Sequence, residues 1–155
     1  KDFFNLSNKN LPFIILILLI FTQIIIGAFV SGLDAGKIYQ TWPMMGSNYF
    51  PNDFLFTNLN DVLEFNNHSL VQFYHRNLAY LILIYALFLA LYIFRNKIFH
   101  LYSSMKIVLF FLFLQSCLGI LTLLTDLNIF IASSHQITSV LLVFSALNLY
   151  YLRVK

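Results

Sequence analysis

The sequence contains few charged residues and a single cysteine, and both shortages restrict what the protein can be. Only 10% of its 155 residues are charged and 60% are hydrophobic, which gives a mean hydropathy of +0.81. A soluble domain of this size could not hide so much apolar surface, so the composition indicates an integral membrane protein. The one thiol, Cys117, excludes an internal disulfide and a cysteine metal cluster. We interpret it as a helix-packing residue.

Acidic residues are missing from the long apolar segments, and basic residues form no patch interleaved with aromatic side chains. The first absence leaves the chain without an obvious acid–base catalyst of its own, so we predict no catalytic residue in it. The second absence, together with a net charge of only +3, gives no reason to expect nucleic-acid binding.

What the sequence does contain is four apolar segments, each long enough to cross the hydrocarbon core as a helix of about 20 residues. We predict an all-α integral membrane protein with one transmembrane four-helix domain over residues 1–155. The predicted spans are 11–31, 70–94, 104–125 and 130–152. A long loop follows the first span, and its apolar spacing over 52–67 predicts a short amphipathic surface helix, either an interfacial anchor or a lid.

Basic residues are distributed unevenly between the two sides of this predicted bundle. Seven of the nine Lys and Arg residues lie on the side of the termini and of the second loop: Lys1, Lys9, Arg95, Lys97, Lys106, Arg153 and Lys155. By the positive-inside rule, both termini face the cytoplasm or the mitochondrial matrix, and the long loop faces outward. Trp42 and the loop tyrosines suit the membrane–water interface on that outer side.

Two histidines, His75 and His135, lie near the outer ends of the second and fourth spans. These two helices run in the same direction, so the histidines come at matching depth. Because an imidazole within a bilayer is costly, we interpret the pair as axial ligands of a haem iron. Zinc fits poorly, since its sites use three or four protein ligands. Gly27 and Gly119 fall at similar depth and leave room for a macrocycle, although small residues also serve close helix packing.

Neighbours of His75 have side chains that suit haem binding. Arg76 can form paired hydrogen bonds with a carboxylate such as a haem propionate, or its side chain can extend to lipid headgroups. Gln72, three residues before His75 on the same helical face, can hydrogen-bond an imidazole or a propionate but cannot act as a base. His68 and His100 fall in loop or interface positions, and we interpret both as solvated.

Several stretches together resemble the haem A synthase (COX15/CtaA) family, and the resemblance covers nearly the whole chain. They are residues 23–36, ending in Gly-Leu-Asp-Ala-Gly; Thr-Trp-Pro at 41–43; Gln-Phe-Tyr-His-Arg at 72–76; residues 115–123; and His135-Gln136. The resemblance implies two similar four-helix bundles in a chain about twice this length, of which this sequence matches the C-terminal bundle. It also implies a bis-histidine haem b on His75 and His135.

The family resemblance further implies oxidation of the C8 methyl of haem O to a formyl group, with this haem b as redox cofactor. The other bundle carries a Glu-x-x-His-Arg pattern, whereas Gln72 stands at the position of that Glu here. Lys37 is expected either near a propionate or solvated in the loop. The implied partners are haem O, the N-terminal bundle in the same or a separate chain, haem O synthase and the bilayer of a bacterial or mitochondrial inner membrane.

Three other interpretations remain open from the sequence. The first is a free-standing membrane cytochrome b that transfers electrons without a second bundle. The second is a haem-free structural or assembly subunit, in which both histidines only pack. The third is a truncated reading frame without activity.

Overall fold

The computed structural model describes residues 7–53, 61 and 64–155, and its long elements are all helices. Helices α1 to α4 span Leu11–Gly32, His68–Arg95, Tyr102–Leu124 and Ile129–Val154. Every limit lies within two residues of its predicted position. In the described part, extended pairing is confined to one isolated bridge between Met45 and Asn48. The predicted all-α fold class is therefore confirmed there, whereas the predicted surface helix over 52–67 lies mostly outside the described residues.

All four helices are long and apolar enough to cross a membrane. The shortest, α1, has 22 residues and is about 33 Å long at 1.5 Å per residue, against a hydrocarbon core of about 30 Å. Large apolar side chains cover the outer faces of the helices, and Phe88 and Phe113 are each 68% exposed. Water would be a poor solvent for such faces. The chain is a multi-pass membrane protein.

Asparagine side chains cap two of the helices by hydrogen bonds, and these are the two helices that carry the histidines. The side-chain oxygen of Asn67 accepts a hydrogen bond from the Leu70 amide at 2.9 Å, and that of Asn128 accepts one from the Phe130 amide at 3.0 Å. Each bond satisfies an amide that has no partner within its helix. The sequence thereby fixes where α2 and α4 start, and hence how far each histidine lies from its helix end.

A tight turn joins α3 to α4. The Leu127 amide donates to the carbonyl of Thr122 at 2.9 Å, which is the long hydrogen bond of a Schellman helix ending. Asp126 and Leu127 have φ angles of +54° and +57°. The left-handed region tolerates Asp better than Leu, so contacts elsewhere must hold the Leu127 backbone in place.

The helices pack most tightly at the end of the bundle where the chain termini lie, which we call the terminal end. The opposite end, next to the α1–α2 loop, is called the loop end. A continuous core of buried residues fills the terminal end: Phe13, Leu16, Ile20, Ile82, Ala86, Leu89, Ala90, Ile93, Leu101, Met105, Val108, Leu112, Leu142, Ala146, Leu149 and Tyr150. Burying this many large side chains fixes the relative positions of the four helices.

Packing is much looser at the loop end. No residue is buried over 21–32 in α1, 113–124 in α3 or 129–141 in α4. Helix α2 differs, because the α1–α2 loop covers its first turns and buries Gln72 and Arg76. The bundle therefore closes at the terminal end and opens toward the loop end, where both histidines lie.

Candidate functional site

His75 and His135 are the eighth residue of α2 and the seventh residue of α4. Both helices begin at the loop end, so the two imidazoles lie at similar depth. Each residue is half-buried. The structure thus places at one depth, on helices that run in the same direction, the two residues that the sequence singled out as a ligand pair.

Each imidazole lies against a glycine on the preceding helix. A Cβ atom built on Gly27 would lie 3.0 Å from Cε1 of His75, and one built on Gly119 would lie 3.0 Å from Cε1 of His135. Both distances are shorter than ordinary van der Waals contact. Glycine therefore lets α1 and α3 approach the two rings this closely without displacing them.

A glutamine one helical turn before each glycine contacts the same histidine. Nε2 of Gln23 donates to the backbone carbonyl of His75 at 2.9 Å and lies 3.3 Å from its ring Nε2. Nε2 of Gln115 donates to the carbonyl of His135 at 2.9 Å and lies 3.5 Å from its ring Nε2. The helix pairs α1–α2 and α3–α4 therefore present their histidines in the same way.

The two settings differ in how fully their polar atoms are satisfied. Nδ1 of His135 lies 3.1 Å from the backbone carbonyl of Gln115, and Thr138 donates to the side-chain oxygen of Gln115 at 2.5 Å. Nδ1 of His75 and the side-chain oxygen of Gln23 are buried without a hydrogen-bond partner. The His75 side is thus the less completely satisfied of the two.

These residues fit a haem iron better than a metal held by protein ligands alone. Within residues 7–53, 61 and 64–155, no group of three or more His, Cys, Asp or Glu side chains could hold a metal ion. Haem needs only axial ligands from the protein, and two imidazoles can supply them. The glycine next to each ring makes room for the imidazole itself, so each ring is held against the neighbouring helix.

Arg76 and Gln72 both hold the α1–α2 loop. The terminal nitrogens of Arg76 donate to the carbonyls of Thr41 at 2.8 Å, Met44 at 3.2 Å and Tyr39 at 2.8 Å. Nε2 of Gln72 donates to the same Tyr39 carbonyl at 2.9 Å. Nε of Arg76 and the side-chain oxygen of Gln72 are buried without a partner. Both residues thus fasten the loop to the start of α2, a contact that sequence reasoning missed.

Lys37, the remaining residue predicted to bind the cofactor, lies in an exposed ion pair with Asp34 at 2.9 Å. His68 and His100, predicted to be solvated, are exposed. The contacts of Lys37 in the described part therefore fit its solvated alternative, and its approach to a propionate stays a prediction.

The α1–α2 loop also reaches across to the α3–α4 turn. Nε2 of Gln40 donates to the carboxylate of Asp126 at 2.5 Å. A Cβ on Gly36 would come within 2.8 Å of the Leu127 side chain, so the two segments are in close contact. Both contacts involve residues of the strained turn, and they join the two helix pairs at the loop end.

The carboxylate of Asp53 links two parts of the α1–α2 loop to the start of α2. Asp53 accepts hydrogen bonds from Tyr39 at 2.6 Å and from Ser69, at the start of α2, at 2.5 Å. Partial burial raises the pKa of Asp53, but the two hydrogen bonds outweigh it and leave that pKa below its usual value. The hydrogen bond to Asp53 raises the pKa of the Tyr39 hydroxyl, and partial burial adds to the rise.

Comparison with known proteins places this membrane bundle within a family. Residues 6–147 match the COX15-CtaA family, whose description is cytochrome oxidase assembly protein. The chain belongs to that family. It is 41% identical over 139 residues to a heme A synthase of Pelagibacter ubique (88% of this chain, 40% of that protein). It is 42% identical over 143 residues to a heme A synthase of Wolbachia pipientis wMel (90% of this chain, 38% of that protein).

The match covers most of this chain but a minority of each relative. The chain spans about 40% of the length of the curated relatives it matches. No solved structure matches it.

Proposed function

We propose that this chain is the haem b-binding bundle of a haem A synthase, with His75 and His135 as the two axial ligands. The observation that carries the proposal is the repeated setting of the two imidazoles, each against a glycine and a glutamine of the neighbouring helix. A structural subunit would need neither two half-buried histidines at one depth nor the same contacts around both. Membership of the COX15-CtaA family supports the same assignment.

In this proposal the chain contributes a redox site to the oxidation of the C8 methyl of haem O to a formyl group. A bound haem b would supply one-electron redox chemistry. The protein's own part is to hold the two imidazoles, to keep them in apolar surroundings and to cover the loop end. No catalytic residue is assigned to the chain, because the four spans contain no Asp or Glu.

The surrounding polar residues have separate roles in this proposal. Arg76 uses its terminal nitrogens to hold the loop, which leaves the buried Nε as the donor available to a haem propionate. Gln72 supports the same loop carbonyl. Lys37, in the exposed part of the loop, would add positive charge beside a propionate.

The partners follow from the same assignment. The complete enzyme would take haem O from haem O synthase and would include an N-terminal bundle, in the same chain or a separate one. The site would face the outer side of a bacterial or mitochondrial inner membrane, because the charge pattern puts both termini on the cytoplasmic or matrix side.

Absorption spectroscopy tests the haem assignment directly. The full chain is purified in detergent, its spectrum is recorded oxidised and after dithionite reduction, and the haem is identified as its pyridine haemochrome. We expect a low-spin b-type spectrum that is lost in His75→Ala and in His135→Ala. His68→Ala and His100→Ala are the matched controls, since both side chains are exposed. A parent chain without haem, or a spectrum unchanged by both ligand substitutions, would refute the proposal.

A further inference from the structure

The sequence Gln-x-x-x-Gly occurs once in α1 and once in α3, at the level of the two histidines. Gln23 and Gly27 face His75, and Gln115 and Gly119 face His135. The contacts match atom for atom: an amide nitrogen on the histidine carbonyl, the same nitrogen near ring Nε2, and the glycine nearest to Cε1. Helix packing alone does not explain why the same three contacts occur twice.

The spacing of four residues has a physical cause on the glycine side. A helical side chain covers the turn that precedes its own Cα, so a residue shields the backbone about four positions earlier. Without a side chain, Gly119 leaves the carbonyl of Gln115 open to Nδ1 of His135.

The same argument applies on the histidine side. The residues four positions after His75 and His135 are Ala79 and Ser139, both small. Each leaves the histidine carbonyl open to a second hydrogen bond, beyond the one it accepts within its own helix. A glutamine on the facing helix can therefore reach that carbonyl.

These contacts select one protonation form of each neutral ring. A backbone carbonyl only accepts hydrogen bonds, so Nδ1 of His135 must carry the proton that it shares with Gln115. The glutamine NH₂ group donates to the histidine carbonyl with one hydrogen, and its other hydrogen is available to ring Nε2, which favours a lone pair there. The resulting form has Nδ1 protonated and a lone pair on Nε2, the ring atom that would bind an iron. Iron would replace the glutamine at Nε2, while the hydrogen bond from the glutamine to the histidine carbonyl can stay in place.

We infer that Gln23 and Gln115 are positioning residues for the two haem ligands. Each side chain fixes the backbone position of its histidine, and the side chain of Gln23 also fixes the ring tautomer of His75. The inference rests on the proposed function for its haem part. It goes beyond that function by assigning a role to two glutamines that lie on the helices facing the histidines. The competing role is ordinary polar contact between membrane helices.

The two histidines differ at Nδ1, which is hydrogen-bonded in His135 and unpartnered in His75, and this difference provides a test of the inference. Replacing Gln115 by Leu removes its amide but keeps its backbone carbonyl, so His135 should retain its tautomer. Replacing Gln23 by Leu removes the one contact among the described residues that selects a tautomer for His75, since Nδ1 of His75 has no hydrogen-bond partner among them. The two matched substitutions are therefore expected to differ, although they delete the same side chain.

The first measurement is ¹⁵N NMR of histidine-labelled full-length chain prepared without haem, which distinguishes the two tautomers. We expect a mixture at His75 in Gln23→Leu, the parent tautomer at His135 in Gln115→Leu, and no change in Gln136→Leu. Gln136 is an exposed residue beside His135 and serves as the control. If Gln23→Leu does not fold, Gln23→Asn retains an amide that is one methylene too short and should show the same mixture.

The second measurement is haem titration with electron paramagnetic resonance of the low-spin iron. Loss of groups that orient metal ligands typically lowers affinity 10- to 100-fold, so we expect at least about a tenfold fall for Gln23→Leu and a smaller one for Gln115→Leu. An unchanged His75 tautomer, with haem affinity within about twofold of the parent, would overturn the inference and leave packing as the role. A parent chain that takes up no haem would refute the proposed function, while the tautomer comparison would still decide the role of the glutamines.

Discussion

The backbone carbonyl of Gln115 accepts a hydrogen bond from Nδ1 of His135 across 3.1 Å, and this bond joins α3 to α4 at the loop end. Nδ1 of His75, in the matching position on α2, has no such partner. A backbone atom thus holds one imidazole, and a side chain alone holds the other. A side-chain substitution at Gln115 therefore leaves the hydrogen bond to Nδ1 of His135 in place. A substitution at Gln23 removes the contacts that hold His75.

The glycines beside the rings give the first prediction. We expect Gly27→Ala and Gly119→Ala each to weaken haem binding about tenfold or more, because the new methyl group would lie 3.0 Å from an imidazole carbon and displace the ring. Alanine is favoured over glycine in a helix interior by about 0.5–1 kcal/mol, so helix stability itself should not fall. Haem titration of the purified chain measures the effect.

Gly32→Ala is the control for this prediction, because a Cβ at Gly32, the last residue of α1, meets no heavy atom within 4 Å. It should bind haem like the parent chain. Equal affinity in all three alanine variants would show that the rings do not need the glycines.

Arg76 gives the second prediction, which concerns the loop rather than the haem. We expect Arg76→Lys to loosen residues 39–44 even in haem-free protein, since one ammonium group cannot replace the donors that reach three carbonyls. Each lost hydrogen bond to a charged donor costs about 1.5–3 kcal/mol. Limited proteolysis of the loop and thermal unfolding in detergent measure the change.

The exposed Arg95 at the end of α2 provides the matched control, because Arg95→Lys also replaces a guanidinium by an ammonium group but lies at the opposite end of α2 from the α1–α2 loop. If Arg76 served only a haem propionate, the haem-free parent and its Arg76→Lys variant would be cleaved at the same rate.

The limits of the helices and the matching depth of the two histidines could be predicted from the sequence, whereas the role of the histidines as haem ligands stays a prediction. The four spans follow from apolar length, so the depth of His75 and His135 could be counted along the chain. Capping asparagines fix the starts of the two helices that carry them. The loop contacts of Arg76 could not be foreseen, because its partners are backbone carbonyls, which leave no mark in the sequence.

The sequence alone does not suggest the role that we infer for Gln23 and Gln115, although the spacing between each glutamine and its glycine is visible in it. The spacing Gln-x-x-x-Gly occurs in both α1 and α3. The spacing shows that glutamine and glycine share a helical face, but not which neighbouring helix that face meets. Only the packing of α1 on α2 and of α3 on α4 pairs each motif with its histidine.

The carboxylate of Asp53 gives the third prediction, in acid. The pKa of Asp53 lies below its reference value of 3.8, so its contribution to loop stability is present above about pH 4 and is lost as pH falls through the folded-state pKa. The pKa of Tyr39 lies above its reference value of 10.0, so its contribution is present below pH 10 and is lost at higher pH, as the hydroxyl ionises.

Fluorescence of Trp42 can follow both transitions, because Trp42 is the one tryptophan of the chain and lies in the loop. We expect the acid change in its emission to disappear in Asp53→Asn and the alkaline change to diminish in Tyr39→Phe. An acid transition that persists unaltered in Asp53→Asn would assign it to another group.

The fourth prediction concerns turnover. Gln72 has no titratable group, and the four spans carry no Asp or Glu, so the chain offers no carboxylate base beside the two histidines. We therefore expect that cells lacking haem A synthase will accumulate haem O and form no haem A when they express this chain alone. Haem extraction and chromatography measure both products, and a full-length relative expressed in the same cells provides the positive control. Formation of haem A by the chain alone would contradict this prediction and show that one bundle suffices for the oxidation.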